Sequence, residues 1–398
     1  MSDAHCPVAF GRMDGALPRS CRDPLRLDVC FPMYTPRRIG SSRRIVAATA
    51  WFGLLTTGAA CSGGDGQATV ASTTPDTVQV STTSEPATTT TFAQTTTAAP
   101  TTTTDPGPPV YPLTGLPAVD PAIAARPTLV VKIDNAGAAR PQTGFNAADI
   151  VYEEIVNAKL SRFAMVFQSR GSDPVGPIRS GRLQDINLFG SYNHPLFAWS
   201  GGNTTVTAAV DASDLINLSQ LRVGVYFRTT DKEVPHNLYS NTSALWKKAP
   251  FGAQPPVRQF TYRRDGAAPI GAPSAGVATS LDSVDVRWEW NKSKHLYYRT
   301  MEGNPHNDAA GGQVTTDNVV VLAMEYTPGI SDSPDAQTIG KGEAFVFTGG
   351  IYVHATWART DRLVPFVIKA DDGSVVGLTP GRTFVELPRV AKTLPLGP

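Results

Sequence analysis

Thr128-Leu129-Val130-Val131-Lys132-Ile133-Asp134 is a short apolar run that ends on an acid. A continuous apolar run of this length reads as a strand buried on both faces. Two further runs, Asp149 to Val156 and Phe163 to Gln168, have the same character. Between and after them the pattern changes. Ser180 to Gly190 reads as a helix, with Leu183, Ile186 and Leu188 among polar residues. Leu196 to Ser200 is another strand, closed by Gly201-Gly202, and Thr204 to Val210 and Thr242 to Lys248 are short helices, the last capped by Asn241 or Thr242. Strands alternating with helices predict an α/β (α+β) layered domain over residues 110–255.

Residues 256–279 hold Pro269 and Pro273 with Gly266, Gly271 and Gly276, just after Pro255-Pro256, and read as a linker or long loop. Beyond them Val284, Val286, Trp288 and Trp290 alternate with Asp285, Arg287 and Glu289, the period of a half-buried strand. Val319 to Met324, Ala344 to Thr348, Tyr352 to Trp357 and Pro365 to Lys369 follow as strands. Asp371-Asp372-Gly373 and Thr379-Pro380-Gly381 are turn signals. Residues 280–398 are therefore expected to form a mostly antiparallel β domain.

The segment before this region is of another kind. Arg37, Arg38, Arg43 and Arg44 precede an apolar stretch from Ile45 to Ala60, and small residues then lead to Cys61. The stretch is short of the roughly 20 apolar residues a comfortable span needs, and the order is that of a secretory lipoprotein signal. Cys61 is read as the lipidation site, carrying a palmitate-type anchor; the alternative is an ordinary signal whose cysteine is incidental. Arg43-Arg44 permits a twin-arginine route, but its flanks fit general secretion better. Residues 1–60 are leader, and the reading places the true start at Met33, because Cys6, Cys21 and Cys30 lie in a Pro/Arg-rich stretch with no place in a signal. The mature chain then keeps one cysteine, with no disulfide and no thiolate metal site. Residues 61–109 are Thr, Ser, Pro and Ala after the anchor, a composition that cannot bury enough surface to offset its ordering entropy. About 45 such residues reach about 35–40 Å. The whole chain has 35 basic and 34 acidic residues; residues 1–60 carry 8 and 4, leaving 27 and 30 and a net charge of −3. No basic footprint for nucleic acid remains.

Several phrases carry a resemblance. They are Pro112-Leu113-Thr114-Gly115-Leu116, Lys132-Ile133-Asp134-Asn135, Ala139-Arg140-Pro141-Gln142-Thr143-Gly144, Ala148-Asp149-Ile150-Val151-Tyr152-Glu153 and Val175-Gly176-Pro177-Ile178-Arg179-Ser180-Gly181-Arg182. Later come Pro235-His236-Asn237-Leu238-Tyr239, Pro305-His306-Asn307-Asp308, Asn318-Val319-Val320-Val321 and Gly381-Arg382-Thr383-Phe384-Val385-Glu386-Leu387. In this order they resemble the YerB-like lipoproteins, a bacterial envelope family of unknown function, from about Tyr111 to Pro388. The resemblance implies an N-terminal α/β part and a C-terminal β-rich part. It points toward the machinery of cell-wall synthesis and brings no established reaction.

Five constellations bear chemistry. Asp134, Asn135, Arg140 and Gln142 follow the first strand, where layered α/β folds bind ligands. Arg162, Arg179 and Arg182 add planar forks of donors for carboxylate or phosphate. With Glu153, the same residues read equally well as internal ion pairs that brace loops. Ser180 is a nucleophile only with a base in reach, His194 or His236, and otherwise caps the following helix. His236 and Asn237 form a polar turn in which the histidine is a possible general acid or base. His306 and Asp308 make a weaker pair, two ligands where zinc needs three or four, so neither metal nor other cofactor is expected. A carboxylate pair for glycoside cleavage, Asp134 with Glu153 or Asp149, requires a separation the sequence does not state. Trp288, Trp290, Tyr297, Tyr298 and Trp357 read as core and cross-strand pairs rather than a sugar-binding face.

The expected function is a non-catalytic binding or scaffold role on the outer face of the cytoplasmic membrane. Its expected partners are the bilayer, through Cys61, and peptidoglycan or wall-synthesis proteins. An envelope hydrolase or transferase acting on wall material is the alternative. A solute-binding lipoprotein is a third reading if the two halves flank a deep cleft.

Overall fold

The computed structural model describes residues 109–264, 266–389 and 393–398. The leader, Cys61 and nearly all of the Thr-rich segment lie outside them. The first half supplies β1 (Leu129–Ile133), β2 (Ile150–Ile155), β3 (Ser161–Phe167), β4 (Leu196–Ala198), β5 (Ile216–Asn217), β6 (Tyr226–Arg228) and β7 (Leu238–Ser240). Its helices are α1 (Pro121–Ala124), α2 (Gln184–Phe189), α3 (Thr204–Ala212) and α4 (Thr242–Trp246). The second half supplies β8 (Ala272–Pro273), β9 (Gly276–Leu281), β10 (Val284–Asn291), β11 (Leu296–Met301), β12 (Asn304–Pro305), β13 (Thr315–Thr316) and β14 (Asn318–Leu322). It continues through β15 (Tyr326–Pro328), β16 (Pro334–Ala336), β17 (Gly340–Thr348), β18 (Ile351–Arg359), β19 (Val367–Ala370), β20 (Thr383–Leu387) and β21 (Thr393–Leu396).

Eleven strands form one sheet in the order β19-β18-β17-β14-β20-β2-β3-β1-β4-β5, with β8 added to β18. Strands from both sides of the Pro/Gly-rich stretch thus share a sheet. The join is β20, which pairs parallel with β14 on one side and with β2 on the other. β1, β4 and β5 are parallel neighbours, whereas β1, β3 and β2 pair antiparallel, so the first half is a mixed sheet. The remaining second-half pairs are antiparallel, including the smaller sheet β12-β11-β10-β9-β21.

The central strands are buried on both faces, as their apolar runs require. Successive side chains alternate between faces. Val131, Ile133, Val151 and Phe163 pack in one cluster with Val286, Trp288 and Tyr297 of the smaller sheet. Val130, Ile150, Tyr152 and Ala164 pack on the other side with Leu188 and Phe189 of α2 and Val206 of α3. The result is three layers: small sheet, large sheet, helices.

Some boundaries differ from the sequence reading. The helix expected over 180–190 is formed only over Gln184–Phe189, with Leu183 as its N-cap and Asp185 Oδ2 accepting from the Arg182 amide at 2.7 Å. Ser180 therefore does not cap it; its hydroxyl lies 3.4 Å from that of Ser200. Residues 276–279, expected in the linker, begin β9. Gly276 is required there: its φ is +135°, and a Cβ would stand 1.9 Å from the Trp288 carbonyl oxygen. No helix among the described residues is long and apolar enough to cross a membrane.

Candidate functional site

β2 carries two adjacent acids, Glu153 and Glu154, and strand periodicity sends them to opposite faces of the large sheet. On the helix side, fully buried Lys132 pairs with Glu154 and, at 2.9 Å, with Asp185. Burial, with the Asp185 carboxylate beside it, pushes the Glu154 carboxyl up to about 7 against the pull of Lys132. The folded chain thus holds a proton at Glu154 that the unfolded chain releases. This contribution to stability is fully present below the ordinary 4.5 and is lost as pH rises through about 7. Denaturation midpoints of Glu154→Gln should fall less steeply than those of the wild type between those two values. Parallel curves for the two proteins would refute the assignment.

On the small-sheet side, Glu153 meets Arg299 of β11, which is also fully buried. Arg299 lies 3.5 Å from Glu386 of β20, and Glu386 in turn accepts from the Trp288 indole at 2.8 Å. Burial, and the neighbouring Glu153 carboxylate, hold Glu386 well above the ordinary carboxylate range against the pull of Arg299. Glu153 also accepts from Ser161 at 2.5 Å and from Asn135 at 3.2 Å.

His306 closes the network. Arginine only donates, so the 2.7 Å contact between Arg299 Nη1 and His306 Nδ1 makes Nδ1 an acceptor. The proton then sits on Nε2 and is given to Gln142 Oε1 at 3.0 Å, while Gln142 Nε2 donates to the Asp134 carbonyl at 2.9 Å. Burial and the nearby Arg299 hold His306 well below its ordinary value, consistent with a neutral ring. The imidazole is spent inside the fold. Asp308 does not share a ligand set with it: its carboxylate accepts the amides of Gly144, Asn146 and Ala310 at 2.9–3.2 Å and so ties two loops together. Among the described residues no group of three or more His, Cys, Asp or Glu is arranged to hold a metal.

Above this closed layer lies an open one. Asp134, at the carboxyl end of β1 and 4% exposed, receives His236 Nδ1 at 2.7 Å on Oδ2. Arg179 Nε reaches the same oxygen at 3.0 Å, as an ion-pair contact without hydrogen-bond alignment. Arg140 donates to Asn135 Oδ1 at 3.2 Å and to the Asn135 carbonyl at 3.0 Å, and pairs with Glu302 at 2.5 Å. His236, Arg140, Lys232 and Glu233 line a hollow of about 580 Å³. Arg140 and Pro141 also wall a second hollow of about 280 Å³, beside Glu302 and Asn304. Arg140 is thus the ridge between the two.

The remaining candidates fall elsewhere. Arg162 donates to the Ser180 carbonyl at 2.8 Å. Arg182 donates to Asn157, Ser333 and the Gly181 carbonyl at 2.7–2.9 Å and acts as a brace. Asn237 is buried, bonded to the Thr229 carbonyl and Arg228, away from the hollow. Trp288, Tyr297 and Trp357 are core. The sequence reading missed Arg299, Glu386, Lys132 and Asp185. Arg299 had a signal, since it sits at an inward position between Tyr297 and Met301 in a period-two strand. A hollow of about 450 Å³ by Asp285, Arg287 and Thr300, on the smaller sheet, contains none of the residues singled out.

Two family models match the chain. One is the N-terminal domain of a protein of unknown function (DUF3048), over residues 113–252; the other is the C-terminal domain of the same family, over 277–385. The protein called "Putative lipoprotein YerB" of Bacillus subtilis (strain 168) is 25% identical over 287 residues, 69% of this chain and 85% of that protein. The crystal structure of YerB from Bacillus subtilis matches with a TM-score of 0.65 at 21% identity, over 72% of this chain and 99% of that one. The second likeness is one of fold.

Proposed function

The chain belongs to the YerB-like family, whose N- and C-terminal domains it carries in tandem, and from that premise we propose that it is an envelope lipoprotein that binds at the cell wall without catalysing a reaction. Cys61 anchors it to the outer face of the cytoplasmic membrane, and the Thr-rich segment carries the folded part into the wall space. Peptidoglycan or the proteins that build it are the partners. The lipoprotein signal of the sequence and the name of the Bacillus subtilis relative support the anchor.

One observation carries the binding role. Arg140 and His236 stand on an open hollow: Asp134 holds His236, and Arg140 is held by Asn135, itself bonded to Gln142, and by the exposed Glu302, whose place an anionic ligand would take. Donors locked in place before a ligand arrives lose little entropy on binding it. The mature protein incubated with intact wall polymer should be retained, with no soluble fragment released. Arg140→Ala should lower retention several-fold. Release of fragments that disappears in His236→Ala would overturn this reading. The absence of both retention and release would exclude the polymer and leave a wall-synthesis protein as the partner.

A second reading has one observation in its favour. Asp134 fixes His236 through Nδ1, which leaves Nε2 as the nitrogen able to exchange a proton. That arrangement suits a hydrolase or transferase acting on wall material, and fragment release in the same experiment is its signature.

A further inference from the structure

Lys132, Arg162, Arg179 and Arg182 lie in one neighbourhood with three carboxylates, Asp134, Glu154 and Asp185. The carboxylates are already engaged. Glu154 and Asp185 both hold Lys132, and Asp185 also caps the Arg182 amide. Asp134 is divided between Arg179 and His236. Four fixed cations therefore face at most three anions. The excess is felt at Arg162, which has Arg182 and Arg179 as cationic neighbours, and burial together with Arg182 pushes its guanidinium down to about 10. Like charges gathered in a half-buried place call for an anion.

The donors for one are at hand. Arg182 has spent its guanidinium on three oxygens. Arg162 makes a single bond among the described residues, to the Ser180 carbonyl, and Arg179 touches Asp134 only through Nε. The Ser180 and Ser200 hydroxyls stand 3.4 Å apart beside them, and the Ser200 amide is bonded to the Arg179 carbonyl at 3.0 Å. Ser200 follows β4 and precedes Gly201, where a Cβ would meet nothing within 4 Å. The group thus sits at the carboxyl ends of the parallel strands β1 and β4, the position where layered α/β folds accept ligands.

We propose that Arg162, Arg179, Ser180 and Ser200 form an oxyanion site for a phosphate group. The inference rests on the binding reading above and names the chemical group that this face grips. Phosphate fits better than carboxylate because the donors come from three segments: β3, the 179–182 loop and the loop after β4. A planar carboxylate is satisfied by one guanidinium edge, whereas a tetrahedral phosphate presents oxygens in several directions. The phosphate comes either from a phosphodiester polymer of the wall or from the free ion.

Calorimetric titration of the mature protein decides the matter, with inorganic phosphate, a glycerol-phosphate oligomer and acetate at equal ionic strength. Both phosphate probes should bind saturably and acetate more weakly. Arg179→Gln should weaken phosphate by about tenfold or more, the loss of one charged hydrogen-bond donor. Ser200→Ala, which removes no charge, should weaken it several-fold and keeps the test alive if Arg179→Gln fails to fold. Tighter binding of the oligomer assigns the polymer, and tighter binding of inorganic phosphate assigns the free ion; both outcomes support the site. Absence of saturable binding to both probes, or wild-type affinity in both Arg179→Gln and Ser200→Ala, would overturn it. Phosphate binding without wall retention removes the function proposed above and leaves this site standing. Wall retention without phosphate binding removes this site alone.

Discussion

Arg299→Met is expected to lower the unfolding free energy by about 3–5 kcal/mol, the cost of stranding buried charge. Arg299 is fully buried between the two sheets, pairs with Glu153 of β2, lies 3.5 Å from Glu386 of β20 and is bonded to His306. Its guanidinium also stands 5.3 Å from the Phe163 ring and 5.0 Å from the Phe384 ring. Methionine keeps the volume and loses every one of the charged contacts. Two carboxyl groups then face each other without a cation, and His306 loses its donor. The loss has its own pH signature. Glu386 is already held well above the ordinary carboxylate range, so its contribution to stability is present in acid and falls away as pH rises. Without Arg299 the Glu386 carboxyl loses the cation that pulls it down and is driven further upward, and the gap between variant and wild type should narrow as pH falls toward 4. Lysine should rescue poorly, because a single ammonium cannot serve Glu153, Glu386 and His306 in the directions a guanidinium does. Urea denaturation across pH measures all three effects. A deficit under about 1 kcal/mol at neutral pH would show that the carboxylates find other partners.

That network also shows where sequence reading stops. The strand at Thr128–Asp134 was legible because burial on both faces leaves an apolar run with no period. The acid at its end was legible as a candidate because the ends of such strands face loops. What could not be read was which residues meet. Glu153 is 146 positions from Arg299, and Asp134 is 102 positions from His236. The first meeting depends on β20 slotting between β14 and β2, and the second on Ile178 bridging Ile133 and Leu238; no local pattern encodes either. The phrase Arg179-Ser180-Gly181-Arg182 makes the same point at short range. Its two arginines are equal in the sequence, yet Arg182 turns inward to brace three oxygens while Arg179 stays by Asp134. Similarly, His306 and Asp308 have the spacing of a ligand pair, but the chain puts the imidazole into the core and the carboxylate onto backbone amides. Residue type foretold polarity at these positions; only the topology assigned it to bracing or to an open face.

Asp134 is where bracing and exposure meet, and its replacement should have two opposite effects. Its carboxylate is the shared partner of Arg179 and His236 and also accepts the Ala136 amide at 3.2 Å. Asp134→Asn keeps the shape and removes the charge, so stability should fall by on the order of 2 kcal/mol. The cost stays below that of Arg299→Met because Arg179 and His236 keep about a quarter of their side-chain surface in water and can be solvated there. Phosphate affinity should move the other way. A negative charge beside Arg179 repels an oxyanion about 4 Å away by about 1 kcal/mol even at the dielectric of bulk water, so its removal should tighten binding at least roughly fivefold. The gain should shrink as salt is raised toward 1 M, where screening acts within about 3 Å. A catalytic role for His236 requires a different result. With asparagine at 134 the imidazole loses the carboxylate that orients it, and any release of wall fragments should collapse while binding persists. Weaker phosphate binding in Asp134→Asn would count against the charge argument, because it would mean that Asp134 serves this face chiefly by holding Arg179 in position.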